Sequence, residues 1–323
     1  MESTNNINKF DICIVVPCYN EEECINAFSE TTTKEITEGN SNIRPYFLFI
    51  NDGSVDATLS KIKELSKANN NVGYVSLSRN FGKESAIYAG LETAYNKVDT
   101  KYYVLMDADL QHPPSVIPQM YDKLSNNSEY SRIGTKRTKR NGEPHLRSVM
   151  SKLFYKIMNK ASQVDIAPSA MDFQMMTKKY VSAILKCGEY NRFFKGLSEW
   201  VGYKTDWIEI ETHDRKQGKT SWSFFGLLNY SVEGLVAFTT WPLKIISVIG
   251  ILLSLAAGIY LIYVIIKALL MGDPVSGWPT LACLLLIIGG LLMVSMGILG
   301  LYFEKTYTEV KNRPIYLVDE EEL

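Results

Sequence analysis

Residues 103–114 of this 323-residue chain read YVLMDADLQHPP, a short apolar segment that runs directly into two carboxylates, Asp107 and Asp109. The apolar residues predict a buried strand, and side chains at positions i and i+2 of a strand point to the same side. Two like charges placed in this way repel each other, so the spacing predicts a positive group between them. A divalent cation with oxygen ligands, or an Arg or Lys brought in by the fold, would supply that charge. A simpler alternative is an acidic pair that ends the strand and caps a helix beginning near Pro113 and Pro114.

Short segments rich in Val, Ile, Tyr and Phe alternate with helical patterns through the first half of the chain. Strands are predicted at 12–17, 46–52, 73–78 and 102–107. This alternation is typical of an α/β domain with a mainly parallel sheet. Each strand is followed by polar or charged residues, and open parallel sheets bind ligands outside the carboxyl ends of their strands. These residues are Tyr19, Asn20 and Glu21; Asp52; Arg79 and Lys83; Asp107 and Asp109.

Two apolar stretches near the C-terminus predict a membrane hairpin. Residues 245–266 and 280–303 contain no charged side chain, and each exceeds the roughly 20 residues that span a bilayer core as a helix. Buried core helices are the alternative, but core helices of this length usually carry a polar stripe. The connection at 267–279 contains Gly, Asp and Pro, which favour a short turn.

The distribution of charge orients this hairpin. Lys244 precedes the first stretch, and Lys305, Lys311 and Arg313 follow the second, whereas the connection contains only Lys267. Because Lys and Arg concentrate on the cytoplasmic side, both termini are predicted to be cytoplasmic. The polar N-terminus has no apolar segment and therefore predicts no cleavable signal peptide. We expect a multi-pass protein of the cell membrane.

Four regions follow from these patterns. Residues 1–220 are predicted to be a cytoplasmic α/β domain, 221–242 an amphipathic region in the membrane interface, 243–304 two transmembrane helices, and 305–323 a cytoplasmic tail. For 221–241 an ordinary packing helix remains the alternative. With 34 basic and 35 acidic residues, the chain shows no charge excess that would indicate a nucleic-acid partner.

A basic region at 136–160 has two interpretations. It holds KRTKR, His145, Arg147, Lys152, Lys156 and Lys160. A run of charges is commonly a solvated surface. The other interpretation is a surface that binds phosphate or anionic membrane lipids.

Eight motifs occur in an order that resembles a known family. They are VVPCYNEEE (15–23), FINDGSVD (49–56), SRNFGKESAIYAGL (78–91), LMDADLQHPP (105–114), MDFQMM (171–176), RFFKGLSEWVGYK (192–204), DRKQGKTSWSF (214–224) and EVKNRPIY (309–316). The chain resembles family 2 glycosyltransferases of the polyprenyl-phosphate type. These include dolichyl-phosphate mannose synthases and, more closely, bactoprenol glucosyltransferases with a C-terminal pair of membrane helices. The resemblance covers nearly the whole chain.

The resemblance implies a GT-A fold and inverting transfer of a single hexose from a nucleotide sugar to a polyprenyl phosphate such as undecaprenyl phosphate. It also implies a Mg²⁺ or Mn²⁺ ion on the donor diphosphate. Carried over to this chain, the metal ligands are Asp107, Asp109 and Gln111, with Asp107 directed to the metal or the ribose. The nucleoside would be held by Pro17, Tyr19, Glu21 and Asp52, and Lys83 is also expected to bind the donor. The loop DRKQGKTS (214–221) offers Arg215 or Lys219 to close over the diphosphate charge, and a Gly-containing surface turn is the alternative for this loop. The acceptor phosphate would meet Lys136 and Arg147.

Asp172 and Asp109 are the candidate catalytic residues, and the role of Asp172 is open between general base and orientation of the acceptor. A phosphate monoester has a second pKa near 6, so it is largely an oxyanion at neutral pH and a base is optional. We therefore expect Lys136 and Arg147 to matter at least as much as Asp172.

Four positions depart from the usual pattern of the family. Asn51 stands where many relatives have a first aspartate, so one carboxylate is left for the base. Met171 and Gln174 stand where many relatives have glycine and arginine, which alters the setting of Asp172. Lys136 stands where many relatives have arginine, and a lysine binds phosphate as a point charge without the arginine fork.

Other functions fit the sequence less well. A processive polymer synthase would carry Gln-x-x-Arg-Trp where this chain has RFFKGLSEW, and it would have more membrane spans. An inactive adaptor would be expected to lose some carboxylates, and a dehydrogenase would need GxGxxG after its first strand. UDP-glucose is the first choice of donor, with UDP-N-acetylglucosamine and GDP-mannose as alternatives. A homo-oligomer is left open.

Overall fold

A computed structural model describes residues 10–138, 167, 169–211, 239–271 and 277–323. The chain divides into two compact units. The first runs through Met1–Leu227 and takes in Arg313–Leu323, and the second is Leu228–Asn312.

The first unit contains an eight-stranded sheet flanked by helices. The strands are β1 (Phe10–Cys18), β2 (Pro45–Asn51), β3 (Val72–Leu77), β4 (Thr100–Leu105), β5 (Arg132–Arg137), β6 (Ala170–Thr177), β7 (Thr205–Ile210) and β8 (Val318–Glu322). The helices are α1 (Ile25–Gly39), α2 (Thr58–Ala68), α3 (Lys83–Lys97), α4 (Ile117–Asn126), α5 (Lys178–Lys186) and α6 (Phe194–Trp200), with a short 3-10 helix at Pro114–Val116.

The strand order is β7-β5-β6-β4-β1-β2-β3-β8. β1 runs parallel to β2 and β4, and β2 runs parallel to β3, so the predicted mainly parallel α/β sheet is confirmed. Residues Ile12–Val16 of β1 are fully buried, as expected for a central strand with both faces covered. β6 is antiparallel to both of its neighbours, β4 and β5.

The strand that precedes the two carboxylates is shorter than predicted. It ends at Leu105 and not at Asp107. The last backbone bond to β1 is donated by Met106 N–H to the Val15 carbonyl. The chain then turns, and Leu110 lies in the left-handed region at φ 54°. Asp107 and Asp109 therefore lie in this turn, and the rule that aligns alternate side chains of a strand does not apply to them.

The C-terminal segment forms an element that was not predicted. β8, within the expected tail 305–323, pairs antiparallel with β3 at the edge of the sheet. Ser78 N–H donates to the Leu317 carbonyl (2.9 Å), and Lys63 and Lys97 form ion pairs with Glu320 and Glu321. The chain thus returns to the sheet from which it started.

The second unit contains two long apolar helices, α7 (Trp241–Met271) and α8 (Trp278–Val310). Their segments Trp241–Tyr260 and Ile287–Val310 are long and apolar enough to cross a membrane. The helices include the predicted stretches 245–266 and 280–303 and extend beyond them. This finding suggests membrane association. Of the expected interfacial region 221–242, residues 221–238 lie outside the described residues.

Gly90 sets the close packing of α3 on the sheet. A Cβ at this position would lie 2.3 Å from Val15 Cγ1 and 2.9 Å from Ile50 Cγ1. Gly90→Ala should therefore destabilise the protein by about 1–3 kcal/mol, the usual cost of overpacking a core. Thermal unfolding of the full chain in detergent measures this loss. The control is Gly188→Ala, since nothing lies within 4 Å of a Cβ there; equal melting temperatures for the two variants would contradict the prediction.

Candidate active site

The topology of the sheet gathers charged side chains at the carboxyl ends of its parallel strands. Lys83 begins α3, which follows β3, and Asp107 lies just beyond β4. Because β6 runs antiparallel to β4, with Gln174 opposite Leu105, its first residues lie at the carboxyl end of β4. This arrangement brings Asp172 of β6 to the site.

Lys83 joins two of these carboxylates. Its Nζ lies 2.8 Å from Asp107 Oδ2 and 2.8 Å from Asp172 Oδ2. Burial alone would lower the pKa of Lys83, but the charges of Asp107 and Asp172 outweigh it and raise that pKa well above its ordinary value. Lys83 therefore supplies a positive charge at Asp107. The sequence predicted such a charge between Asp107 and Asp109, whereas the two carboxylates that Lys83 joins are Asp107 and Asp172.

Asp172 also faces a second lysine. Lys195 Nζ is 3.8 Å from Asp172 Oδ1, on the oxygen that Lys83 does not contact. Burial tends to raise the pKa of Asp172, but the charges of Lys83 and Lys195 hold that pKa well below its ordinary value. A carboxylate so stabilised in its ionised form is a weak general base at neutral pH.

Three carboxylates, Asp107, Asp109 and Asp172, form what we call the carboxylate cluster. His112 is 6% exposed and stacks on Phe173 at 5.4 Å between ring centres. Burial lowers the pKa of His112, while the charges of all three carboxylates act on it in the opposite direction. The buried imidazole thus lies within electrostatic range of the carboxylate cluster. The sequence analysis assigned His112 no role.

Asp52 holds the segment that leads into Lys83. The side chain is buried, and its two oxygens accept hydrogen bonds from Phe81 N–H (2.7 Å) and Gly82 N–H (2.9 Å). Burial raises the pKa of Asp52 in spite of these bonds. Gly82 has φ 93°, a conformation that favours glycine. A contact between Asp52 and a nucleoside stays a prediction.

The loop after β1 carries the other expected nucleoside contacts. Pro17 is half-buried in β1, Tyr19 is exposed, and Glu21 N–H donates to Thr58 Oγ1 (2.9 Å). Burial raises the pKa of the Cys18 thiol, and the charges of Glu21 and Asp107 add to this effect. Cys18 is thus within electrostatic range of both Glu21 and Asp107.

The expected metal ligands Asp107, Asp109 and Gln111 offer the oxygen donors that hard cations such as Mg²⁺ or Mn²⁺ take. Asp109 Oδ1 accepts a hydrogen bond from Gln111 N–H (3.1 Å). Within the described residues no group of three or more His, Cys, Asp or Glu side chains is arranged to hold a metal. One or two carboxylates suffice when substrate phosphates complete the coordination. The residues therefore fit a cation shared with a bound diphosphate.

The acceptor-side lysine lies near the start of β6. Lys136 of β5 pairs with Ala170, two residues before Asp172, and its Nζ stands 4.4 Å from the centre of the Trp207 ring. This contact is a cation–π interaction. Three other expected residues, Arg147, Arg215 and Lys219, lie outside the described residues.

Sequence reasoning missed Lys195 and Glu84. Glu84 Oε2 accepts a hydrogen bond from Phe194 N–H (2.8 Å), next to Lys195. Burial raises the pKa of Glu84 to about 7, and the charge of Asp172 adds to the rise. Both residues lie in motifs that carry the family resemblance, GKES and RFFKGL. Their place in these motifs could have marked both residues as functional candidates. The spacing of the motifs in the sequence does not show that they contact each other in the fold.

Asp52→Asn should weaken both the fold and activity. The amide nitrogen would face a backbone N–H in place of an acceptor, and an unsatisfied buried donor costs about 1–3 kcal/mol. We expect a lower melting temperature and reduced enzymatic activity. Asp122→Asn, an exposed change of the same kind on α4, serves as the control. Wild-type stability and activity for Asp52→Asn would disprove the positioning role of Asp52.

Comparison with known proteins gives three findings. Residues 13–185 match the model of Glycosyl transferase family 2. The chain is 38% identical over 309 residues to the "Putative glycosyltransferase CsbB" of Bacillus subtilis (strain 168), covering 96% of this chain and 91% of that protein. It is 36% identical over 310 residues to the SfII prophage-derived bactoprenol glucosyl transferase of Shigella flexneri, covering 95% and 97%.

Among solved structures, the chain is similar to the mannosyltransferase PcManGT from Pyrobaculum calidifontis in complex with GDP-Man and Mn²⁺. The TM-score is 0.43 and the identity 14%, over 65% of this chain and 59% of that one.

Proposed function

The chain belongs to glycosyl transferase family 2, and from this premise we propose that it transfers one hexose from a nucleotide sugar to a polyprenyl phosphate, with inversion at the anomeric carbon. The chain is a glycosyltransferase with a GT-A fold. The lipid acceptor is supported by the Shigella flexneri relative, which is named a bactoprenol glucosyl transferase and aligns over almost its whole length.

The observation that carries the proposal is the ion-pair system around Lys83. Its ammonium group lies between Asp107 and Asp172, with Lys195 beside the second carboxylate. Transfer to a phosphate brings two anionic substrates together, so the enzyme must supply compensating charge. Lys83, which is 46% exposed along its side chain, is able to reach a substrate phosphate from this position.

The donor is proposed to be UDP-glucose, with UDP-N-acetylglucosamine or GDP-mannose as alternatives. The name of the Shigella flexneri relative supports a glucosyl donor. Asp107, Asp109 and Gln111 would hold Mg²⁺ or Mn²⁺ together with the donor diphosphate. When bound, such an ion neutralises the charge that develops on the leaving diphosphate.

For Asp172 we propose orientation in preference to general-base catalysis. The acceptor phosphate is already largely ionised at neutral pH, and the two lysines hold the pKa of Asp172 low. Asp172 would therefore fix the two ammonium groups where the acceptor phosphate arrives. Lys136 and Arg147 are proposed to complete the acceptor site.

The protein is proposed to work at the cytoplasmic face of the cell membrane with both termini in the cytoplasm. β8 follows the two apolar helices along the chain but pairs with β3, which precedes them. Both ends of the apolar segment therefore connect to one domain, which requires an even number of membrane crossings. This connection supports a hairpin of two spans.

Purified full-length protein in detergent tests the function directly. Polyprenyl phosphate and Mg²⁺ or Mn²⁺ are supplied with each radiolabelled nucleotide sugar in turn, with and without EDTA. We expect labelled product in the organic phase from one donor, and its loss in EDTA. No lipid-linked product from any donor, with a folded protein and an active reference enzyme, would contradict the proposal and favour an inactive adaptor.

Asp172→Asn separates orientation from base catalysis. If Asp172 orients the two lysines, the acceptor KM should rise about tenfold or more, since one charge-assisted contact contributes about 1.5–3 kcal/mol, with a smaller change in kcat. Steady-state kinetics with varied polyprenyl phosphate measures both constants. Asp99→Asn, an exposed change in the connection between α3 and β4, is the control. A kcat reduced about 10²- to 10⁴-fold with an unchanged acceptor KM would instead identify a base.

A further inference from the structure

Lys195 lies in the catalytic centre with hydrogen-bond donors to offer. Its ammonium nitrogen is 3.8 Å from Asp172 Oδ1, which is an ion-pair distance but too long for a hydrogen bond. Its N–H groups are therefore not used by Asp172. Lys83, in contrast, makes two close bonds to carboxylates. Asp172 contacts the two ammonium groups through different oxygens. The N–H groups of Lys195 can therefore donate to a phosphate oxyanion placed beside Asp172.

Glu84 fixes the helix that carries Lys195. Helix α6 begins at Phe194, and its N-cap residue, Phe193, supplies no side-chain cap. Glu84 Oε2 instead accepts the Phe194 N–H from a different helix, at 2.8 Å. Because an unpaired N–H in the first turn of a helix needs an acceptor, this bond ties the start of α6 to α3, one residue from Lys195.

One further contact attaches the same region to α3, since the Arg192 guanidinium, two residues before α6, stands 4.3 Å from the centre of the Tyr88 ring. The Tyr88 hydroxyl also donates to the Leu185 carbonyl of α5 (3.3 Å). Glu84 and Tyr88 are four residues apart and so share one face of α3. Lys83, at the start of this helix, is therefore placed by the same element that positions Lys195.

We propose that Lys195 binds a phosphate oxyanion in the catalytic centre and that Glu84 is the positioning residue that holds it there. The inference rests on the function proposed above. The phosphate belongs either to the donor diphosphate or to the lipid acceptor, and both present the same oxyanion to an ammonium group.

The test uses the full-length protein and matched variants. Lys195→Gln removes the charge, and Lys195→Arg keeps it. Glu84→Leu removes the acceptor for Phe194 N–H, and Glu84→Gln keeps one in its amide oxygen. Lys186→Gln, an exposed change on α5, is the control. Donor KM, acceptor KM, the affinity for UDP and GDP by calorimetry, and the melting temperature are measured for each.

Lys195→Gln should weaken one binding constant about tenfold or more, as expected for a lost charge-assisted bond, at an unchanged melting temperature. A weaker nucleotide affinity assigns Lys195 to the donor, and a raised acceptor KM assigns it to the lipid phosphate. Lys195→Arg should recover most of the loss. If neither constant changes by more than about twofold, the role of Lys195 is wrong.

The double variant Glu84→Leu/Lys195→Gln tests the positioning role. If Glu84 acts through Lys195, the double variant should be no worse than Lys195→Gln alone, because residues that act as one unit are not additive. Glu84→Gln should lose only about threefold. If the losses of the two single variants multiply in the double variant, the positioning role of Glu84 is wrong. If Glu84→Leu does not fold, Glu84→Gln decides: a loss as large as that of Lys195→Gln would also show that this role is wrong.

The two proposals fail in different ways. A wild-type protein that makes no lipid-linked sugar overturns the proposed function, and this inference with it. Wild-type turnover together with unaffected Lys195→Gln kinetics overturns only the inference.

Discussion

The site depends on one balance of charge, in which the ammonium group of Lys83 compensates the carboxylates of Asp107 and Asp172 together. Each carboxylate is 2.8 Å from the same nitrogen, so the two are at most twice that distance apart. Without the lysine, carboxylates this close would repel each other, and one would tend to take up a proton. Three separate elements must therefore meet at one point: the turn after β4, the start of α3 and the start of β6.

Two loops secure the position of Lys83. Asp52 binds the backbone of Phe81 and Gly82, and Gly53, at φ 62°, approaches the next loop so closely that a Cβ would lie 2.3 Å from the Arg79 carbonyl carbon. The loops after β2 and β3 are thus packed backbone to backbone. Asp52, which the sequence analysis linked to the nucleoside, therefore has a structural role as well. It is the one carboxylate at this strand end, beside Asn51, and it holds the loop after β3 in place.

The sequence predicted four of the eight strands, the adjacent β4, β1, β2 and β3, and part of the candidate site. Buried parallel strands are apolar on both faces, so they can be identified in the sequence together with the polar residues that follow them. Asp52, Lys83 and Asp107 could therefore be predicted from the pattern alone. Asp172 entered only through the resemblance, because periodicity does not show that β6 crosses the sheet antiparallel. It lies 89 residues from Lys83 in the chain. Lys195 was missed because a short helix fixed by a distant glutamate leaves no periodic signal.

The C-terminal strand β8 also could not be predicted from the local sequence pattern. Val318–Glu322 reads VDEEE, which lacks the apolar alternation of a strand, yet it pairs with β3 because lysines of α2 and α3 meet its glutamates. The pairing of β8 with β3 also bears on membrane topology. This observation does not depend on the Lys and Arg residues from which the orientation of the hairpin was predicted. Both features support the proposed topology. The charge distribution favours two ends on the same side, and the pairing of β8 with β3 returns the chain to the sheet after the two apolar helices.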